Sequence, residues 1–338
     1  MDKTDNREVL LEVKHLKTSF FTQAGEVKAV DDVSYYIRKG EVIAVVGESG
    51  CGKSVTQMSV MQLVQSPPGK IVGGEVLFEG KDILKYGRFS DEMRAIRGGG
   101  IAMIFQEPMT SLNPVYKIGN QLSEVIMVHK GLDKKAAWQE GIKALAAVGI
   151  PDPAARMENY PFQMSGGMRQ RVLIAIAVAC GSKLIIADEP TTALDVTTQA
   201  QVMDLLKSLV KEYGTSILMV THNLGLVTRY AERVYVMYAG KVIESGTTED
   251  ILMHQRHPYT IGLLNSVPRL DSERSQDLVA IEGQPPRLSE LPPYCAFYPR
   301  CPFATEACKQ GFPELKEIGP NDHYAACWRI EEIEKDAK

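Results

Sequence analysis

The segment Gly47-Glu48-Ser49-Gly50-Cys51-Gly52-Lys53-Ser54 constrains this chain more than any other. It fits G-x-x-x-x-G-K-[ST], and the chain's own Gly, Lys, Ser and Thr content yields roughly 0.015 accidental matches over its length. Just upstream, Val42 to Val46 reads VIAVV, a continuous apolar run of the kind expected for a buried parallel strand. A helix-compatible stretch follows from Ser54. In a strand–glycine turn–helix unit, glycines let successive backbone N–H groups curl around phosphate oxygens, and the helix N-terminus adds positive potential. Gly47, Ser49, Gly50, Cys51, Gly52, Lys53, Ser54 and Val55 are therefore the expected phosphate contacts. Lys53 is placed to reach the β- and γ-phosphates and the Ser54 hydroxyl to ligate Mg²⁺. Cys51 occupies a variable position and reads as loop filler rather than as a nucleophile.

The rest of the chain supplies an α/β setting for this loop. Val33, Tyr35 and Ile37 alternate with polar positions, the period of a half-buried strand. Ile118, Leu122 and Ile126, then Trp138, Ile142 and Leu145 after a candidate N-cap at Asp133, predict two amphipathic helices. Val172 to Ala179 is apolar on all sides and predicts a buried helix that ends at Gly181. Leu184–Ala187 and Ile217–Val220 read as further buried strands, so strands alternate with helices as in an α/β sheet. Beyond about residue 255 prolines become frequent, which places a boundary there. No internal repeat is evident. The longest unbroken apolar stretch is Val172 to Gly181, far short of the roughly 20 residues a spanning helix needs. The N-terminus MDKTDNREVL lacks a basic-then-apolar signal, and a cytoplasmic location is expected. With a net charge of −4, a coat of nucleic acid is not an expected partner.

Several polar residues fall at strand ends, where open α/β sheets bind ligands. Leu184-Ile185-Ile186-Ala187 runs into Asp188 and Glu189. Asp188 suits Mg²⁺ through water, and Glu189 suits polarisation of an attacking water. Gln106 follows Ile101–Phe105, and His222 follows Ser216–Thr221. Ser165-Gly166-Gly167 precedes the buried helix and forms a second candidate anion site.

Four of the six cysteines lie near the C-terminus, Cys295, Cys301, Cys308 and Cys327, spaced C-x5-C-x6-C-x18-C. A reducing compartment disfavours disulfides. A proline-rich segment with little core needs a staple, and spacing alone leaves zinc and an iron–sulfur cluster both open.

Taken together, these residues resemble the ATP-binding-cassette family over about residues 8–250. Ser165-Gly166-Gly167-Met168 with Arg169-Gln170-Arg171 is similar to its signature motif, Gln106 to the Q-loop, Thr192-Ala193-Leu194-Asp195 to the D-loop, and His222 to the switch histidine. Phe20 sits where the family places an adenine-stacking aromatic. Phe105 to Pro114, His257-Pro258-Tyr259-Thr260 with Leu263-Leu264, and Pro299-Arg300-Cys301-Pro302 resemble the dipeptide and oligopeptide importers. Met164, Met168, Phe162 and Asn223 depart from the commoner residues at their positions, and none of these changes removes a phosphate-contacting group.

The resemblance implies a P-loop NTPase (RecA-like) core with an N-terminal antiparallel β-subdomain and an inserted α-helical subdomain at about 107–175. This cassette spans 1–254, and a small Cys-rich C-terminal domain spans 255–338. It implies ATP and Mg²⁺ as ligands, with Ser54, Gln106 and Asp188 serving the metal, and catalysis by Glu189, His222 and Gln106. Ser165, Gly166, Gly167 and Asp195 would serve the nucleotide of a facing cassette. The implied machine is an importer in which this subunit pairs with a second ATPase beneath two membrane permease chains. A peptide-binding protein delivers cargo, and the subunit lies peripherally on the cytoplasmic face. Some members carry an iron–sulfur cluster in the tail, so the resemblance favours [4Fe–4S] over zinc at the four cysteines. The rival expectations are nickel or another small solute as cargo, or a soluble cassette acting on ribosomes or DNA.

Overall fold

A computed structural model describes residues 6–106, 111–191, 195–266 and 281–336. The chain divides into two compact units, one of Met1–Ile37, Ile43–Leu84 and Val220–Lys338, the other of Arg38–Val42 and Lys85–Met219.

The first unit contains a four-stranded sheet in the order Gly25–Arg38, Val9–Thr22, Gly69–Phe78, Lys81–Asp82. Val9–Thr22 and Gly69–Phe78 pair antiparallel, with Leu11 opposite Phe78. The alternation read from sequence places Val33, Tyr35 and Ile37 inside, with Ser34 and Tyr36 half-buried between them. The same unit carries the strand run Lys316–Gly319, His323–Ala325, Lys241–Thr247, Arg233–Tyr238, Val42–Val46. Val42–Val46 is buried at every position and runs parallel to Arg233–Tyr238, as its unbroken apolar sequence requires. The tail strand His323–Ala325 pairs antiparallel with Lys241–Thr247. The C-terminal segment thus extends this sheet.

A buried polar knot joins that sheet to the helix Pro258–Asn265. The Glu244 carboxylate, fully buried, accepts the backbone N–H groups of Arg256 at 2.6 Å and His257 at 3.0 Å. His257 caps the helix, its Nδ1 accepting the Tyr259 N–H at 3.1 Å. Burial lowers the His257 pKa from 6.5 to about 4, opposed by the nearby Glu244 charge. The folded chain therefore keeps this imidazole neutral while the unfolded chain takes up a proton. Stability rises with pH across that window and is lost as pH falls from 6.5 to about 4, by at most about 3 kcal/mol from this residue. Urea unfolding at pH 7 and pH 5 should show the loss, and His257→Asn, which retains an acceptor for the cap, should flatten the dependence.

The second unit contains Ile101–Ile104 paired in parallel with Leu184–Asp188, and Ser216–Thr221 on the other side of the latter. Helices Ile118–Lys130 and Lys134–Ala147 pack on each other and on Gly166–Ala179. Ile118, Leu122 and Ile126 are buried as the periodicity predicts, and Asp133 caps its helix by accepting the Ala136 N–H at 2.8 Å. The inner line of Lys134–Ala147 differs by one position from the expectation. It runs Ala137, Gly141, Leu145, while Trp138 and Ile142 are half-buried. A Cβ on Gly141 would stand 2.6 Å from Met157 Cε, and one on Gly119 would stand 2.4 Å from the Trp138 ring. Small residues bring these helices close, and the indole spreads across Gly119 at the rim.

Candidate functional site

The phosphate loop lies in the first unit. Gly47 has φ 149° and a Cβ there would meet the Met237 carbonyl oxygen at 2.3 Å. Gly52 has φ 103°, with the Ala29 carbonyl equally close to its virtual Cβ. Only glycine fits either place. Gly52 is also the N-cap of Lys53–Val60, and no side chain caps that helix or adds an acid to its first turn. The Lys53 ammonium is buried and donates to the carbonyl oxygens of Gly47 at 2.8 Å and Glu48 at 2.9 Å. Ser54 and Val55 are half-buried on the first turn, and Ser49 and Gly50 lie at the loop's outer edge. Cys51 is buried. Burial raises its pKa against the pull of Lys53, which supports the reading of loop filler rather than nucleophile. Phe20 is half-buried, paired in register with Gly69, and the adjacent Phe21 is half exposed. His222 is exposed after Ser216–Thr221. Asn223, the departure beside it, caps Leu224–Tyr230 by accepting the N–H groups of Gly225 and Leu226.

The acidic strand end lies in the second unit. Asp188 is buried as the last residue of Leu184–Asp188. Glu189 follows at φ 46°, a left-handed backbone unusual for a side chain of this size and typical of functional turns. Gln106 Nε2 donates to Glu189 Oε2 at 2.9 Å, so the structure joins two residues that sequence placed only at separate strand ends. Ser165 is exposed and caps Gly166–Ala179, its Oγ accepting the Met168 N–H at 3.3 Å. Gly166 is exposed and Gly167 half-buried, while Met164 fills a core position. Asp195 caps Val196–Tyr213, and two hydrogen bonds from Thr198 hold its carboxyl below the usual range. Residues 107–110 and 192–194, the rest of the expected Q- and D-loop segments, lie outside the described residues.

All four tail cysteines line one small pocket, with His257, Phe297, Tyr298, Phe303 and Trp328 also on its wall. The thiols are free. Burial raises Cys295, brings Cys301 to about 11 and Cys327 to about 12, and the neighbouring sulfurs add to each shift. The Arg329 N–H donates to Cys327 Sγ at 3.4 Å, and Thr305 Oγ1 lies 3.7 Å from Cys308 Sγ. A single zinc would draw its sulfurs to about 3.8 Å from one another by tetrahedral geometry. Among the described residues no group of three or more His, Cys, Asp or Glu is arranged to hold a metal ion, so the metal site expected at the four cysteines is not formed by their arrangement here.

Sequence reasoning marked His257 to Thr260 and Pro299 to Pro302 by resemblance but gave them no role. The structure brings both to the phosphate loop. Tyr259 Oη accepts the Glu48 N–H at 2.8 Å, and Arg300 grips the Glu48 carboxylate with both terminal nitrogens at 2.7 and 2.9 Å. Separations of 211 and 252 residues leave no local signal for either contact.

Residues 30–192 match the ABC transporter family, and residues 243–308 match the oligopeptide/dipeptide transporter C-terminal region. The dipeptide transport ATP-binding protein DppD of Bacillus subtilis is 49% identical over 95% of this chain and 95% of its own length. The oligopeptide transport ATP-binding protein AppD of the same organism is 51% identical over 90% of this chain and 92% of its own. Among solved structures, the post-hydrolysis dimer of the ATP-binding cassette MJ0796 bound to ADP and Pi superposes with a TM-score of 0.63 at 26% identity, covering 70% of this chain and 98% of that one. The cbiO1 subunit from Clostridium perfringens gives 0.61 at 27% identity, over 72% and 90%.

Proposed function

We infer the function from one premise: the chain belongs to the ABC transporter family. It is an ABC ATPase, the ATP-hydrolysing subunit of a peptide importer. The observation that carries the peptide reading is the second match, residues 243–308 to the oligopeptide/dipeptide transporter C-terminal region, joined by near 50% identity to peptide-transport relatives along almost the whole chain. No helix among the described residues is long and apolar enough to cross a membrane. By its likeness to peptide-transport ATP-binding proteins, coupling to transport is read as running through membrane-embedded permease partners, with this subunit peripheral on their cytoplasmic side and paired with a second cassette.

The roles of the chain's residues are those that the resemblance to the ATP-binding-cassette family implies. Lys53 and the loop N–H groups neutralise and orient the phosphates, and Phe20 stacks on the base. Ser54 in the first unit, and Gln106 and Asp188 in the second, are the oxygen-bearing residues that would hold Mg²⁺, which when bound would supply positive charge to the phosphate oxygens. Glu189 takes the proton of the attacking water, and His222 contacts the γ-phosphate. Ser165, Gly166, Gly167 and Asp195 act on the nucleotide of the facing cassette. ATP then joins the two cassettes, and hydrolysis releases them.

At the four cysteines we read a [4Fe–4S] cluster. Its support is the pocket that all four cysteines line and the tail's resemblance to family members that carry such a cluster. Iron and sulfide content of the purified protein decides between this cluster and zinc.

The assembled complex tests the function. Reconstituted in lipid with its permease chains and binding protein, the subunit should hydrolyse ATP faster when di- or oligopeptides are supplied. Stimulation by nickel or another solute, with none by peptides, would overturn the cargo assignment. Full activity on ribosomes or DNA without permease chains would overturn the transport reading.

A further inference from the structure

Glu48 is the second residue of the phosphate loop, and each of its polar groups is engaged. Its carbonyl oxygen accepts from the Lys53 ammonium at 2.9 Å. Its N–H is donated to Tyr259 Oη at 2.8 Å. Its carboxylate is held in a two-pronged ion pair by Arg300, whose side chain is only 5% exposed. Such a planar fork fixes orientation as well as position. Arg300 also donates to Tyr238 Oη at 3.3 Å.

The groups holding Glu48 are themselves tightly set. Tyr259 is fully buried, its ring 4.6 Å from that of Tyr238 and edge-on to Phe297 at 5.5 Å. The Arg300 guanidinium stands 5.9 Å from both the Tyr238 and Phe297 rings. Phe297 lines the cysteine pocket, and its N–H faces the Cys295 sulfur. Arg300 directly precedes Cys301 in sequence. A continuous set of packed and hydrogen-bonded groups therefore runs from the cysteine pocket through Phe297 and Arg300 to Glu48 and Lys53, all within the first unit.

We propose that Tyr259 and Arg300 are positioning residues for the phosphate loop, a role that rests on the ATPase reading above. Neither side chain is asked to touch the nucleotide. They set the Glu48 backbone, whose carbonyl orients the Lys53 ammonium. Losing them lets the loop sample other conformations, and only the fraction in the competent one binds ATP.

The test uses the full-length chain in its complex, with KM for ATP, kcat and melting temperature read together. Arg300→Ala should raise KM for ATP about tenfold, equal to about 1.4 kcal/mol, and leave kcat within about threefold. Arg300→Lys should recover only part of the loss, because an ammonium cannot make the fork. Glu48→Gln should raise KM similarly, and the double variant Glu48→Gln with Arg300→Ala should be no worse than either alone. Tyr259→Phe, which removes the acceptor of the Glu48 N–H, should raise KM while leaving kcat within about threefold. A general loss of structure would instead lower kcat and melting temperature with KM unchanged. If Arg300→Ala does not fold, Glu48→Gln, which keeps shape and removes charge, carries the decision. KM values within twofold of native for Glu48→Gln, Arg300→Lys and Tyr259→Phe would overturn the proposal.

Discussion

The Glu189→Gln protein should bind ATP with native affinity and hydrolyse it at least ~100-fold more slowly, the low end of what a positioned general base contributes. The expectation comes from local geometry. Glu189 sits one residue beyond the buried Asp188, on a left-handed backbone at φ 46° that turns its side chain out of the strand line. Gln106 Nε2 holds one carboxylate oxygen at 2.9 Å. A glutamine at this position keeps the volume and still offers a carbonyl oxygen to Gln106, so the fold and the binding surface are preserved while proton uptake is lost. The same variant should accumulate the ATP-bound cassette pair, seen as ATP-dependent association with the partner cassette by light scattering. Turnover within tenfold of native would show that another group takes the proton. Failure to associate with ATP and the proper partner present would count against the two-cassette sandwich.

The halves of this site differ in how far sequence exposes them. The phosphate loop was legible because its chemistry dictates its residues. Gly47 and Gly52 stand where backbone oxygens leave no room for a Cβ, and the apolar run before them has one structural use. Asp188 was legible for a related reason, a charge ending a strand whose other residues are all apolar. The hydrogen bond between Gln106 and Glu189 was not, since it joins neighbouring strand ends 83 residues apart. The buried line of Lys134–Ala147 was misplaced by one residue. Hydrophobicity favours Trp138 and Ile142, whereas close helix approach is set by the absence of side chains at Gly119 and Gly141. The tail was the least legible. Its strands Lys316–Gly319 and His323–Ala325 are too short to show a period, and their register is broken between Glu317 and Gly319. The prolines that signalled a boundary gave no sign that Tyr259 and Arg300 reach the phosphate loop. Such contacts depend on the whole unit being folded.

Lys53→Ala should lose ATP binding by at least ~30-fold, the low end of the cost of removing one partner from a buried, hydrogen-bonded charge pair. Lys53 is 5% exposed, and its ammonium lies among the carbonyl oxygens of its own loop, 2.8 Å from Gly47 and 2.9 Å from Glu48. Two roles meet in that one group. It is the cation available to the terminal phosphates, and it holds inward the two carbonyls that would otherwise present negative potential to them. An alanine removes both, so the loss of affinity should exceed that of any variant at Glu48, Tyr259 or Arg300, which act on the nucleotide indirectly, through the set of the loop and of this lysine. Lys53→Arg should fail as well, because a planar guanidinium replaces a compact point charge in a buried place. Titration with a fluorescent ATP analogue, alongside melting curves in the absence of nucleotide, separates lost binding from lost folding. The melting temperature gained on adding ATP should vanish in the Lys53 variants, since a ligand stabilises only the state it binds. An affinity within threefold of native for Lys53→Ala would mean that the loop does not hold the triphosphate through this residue.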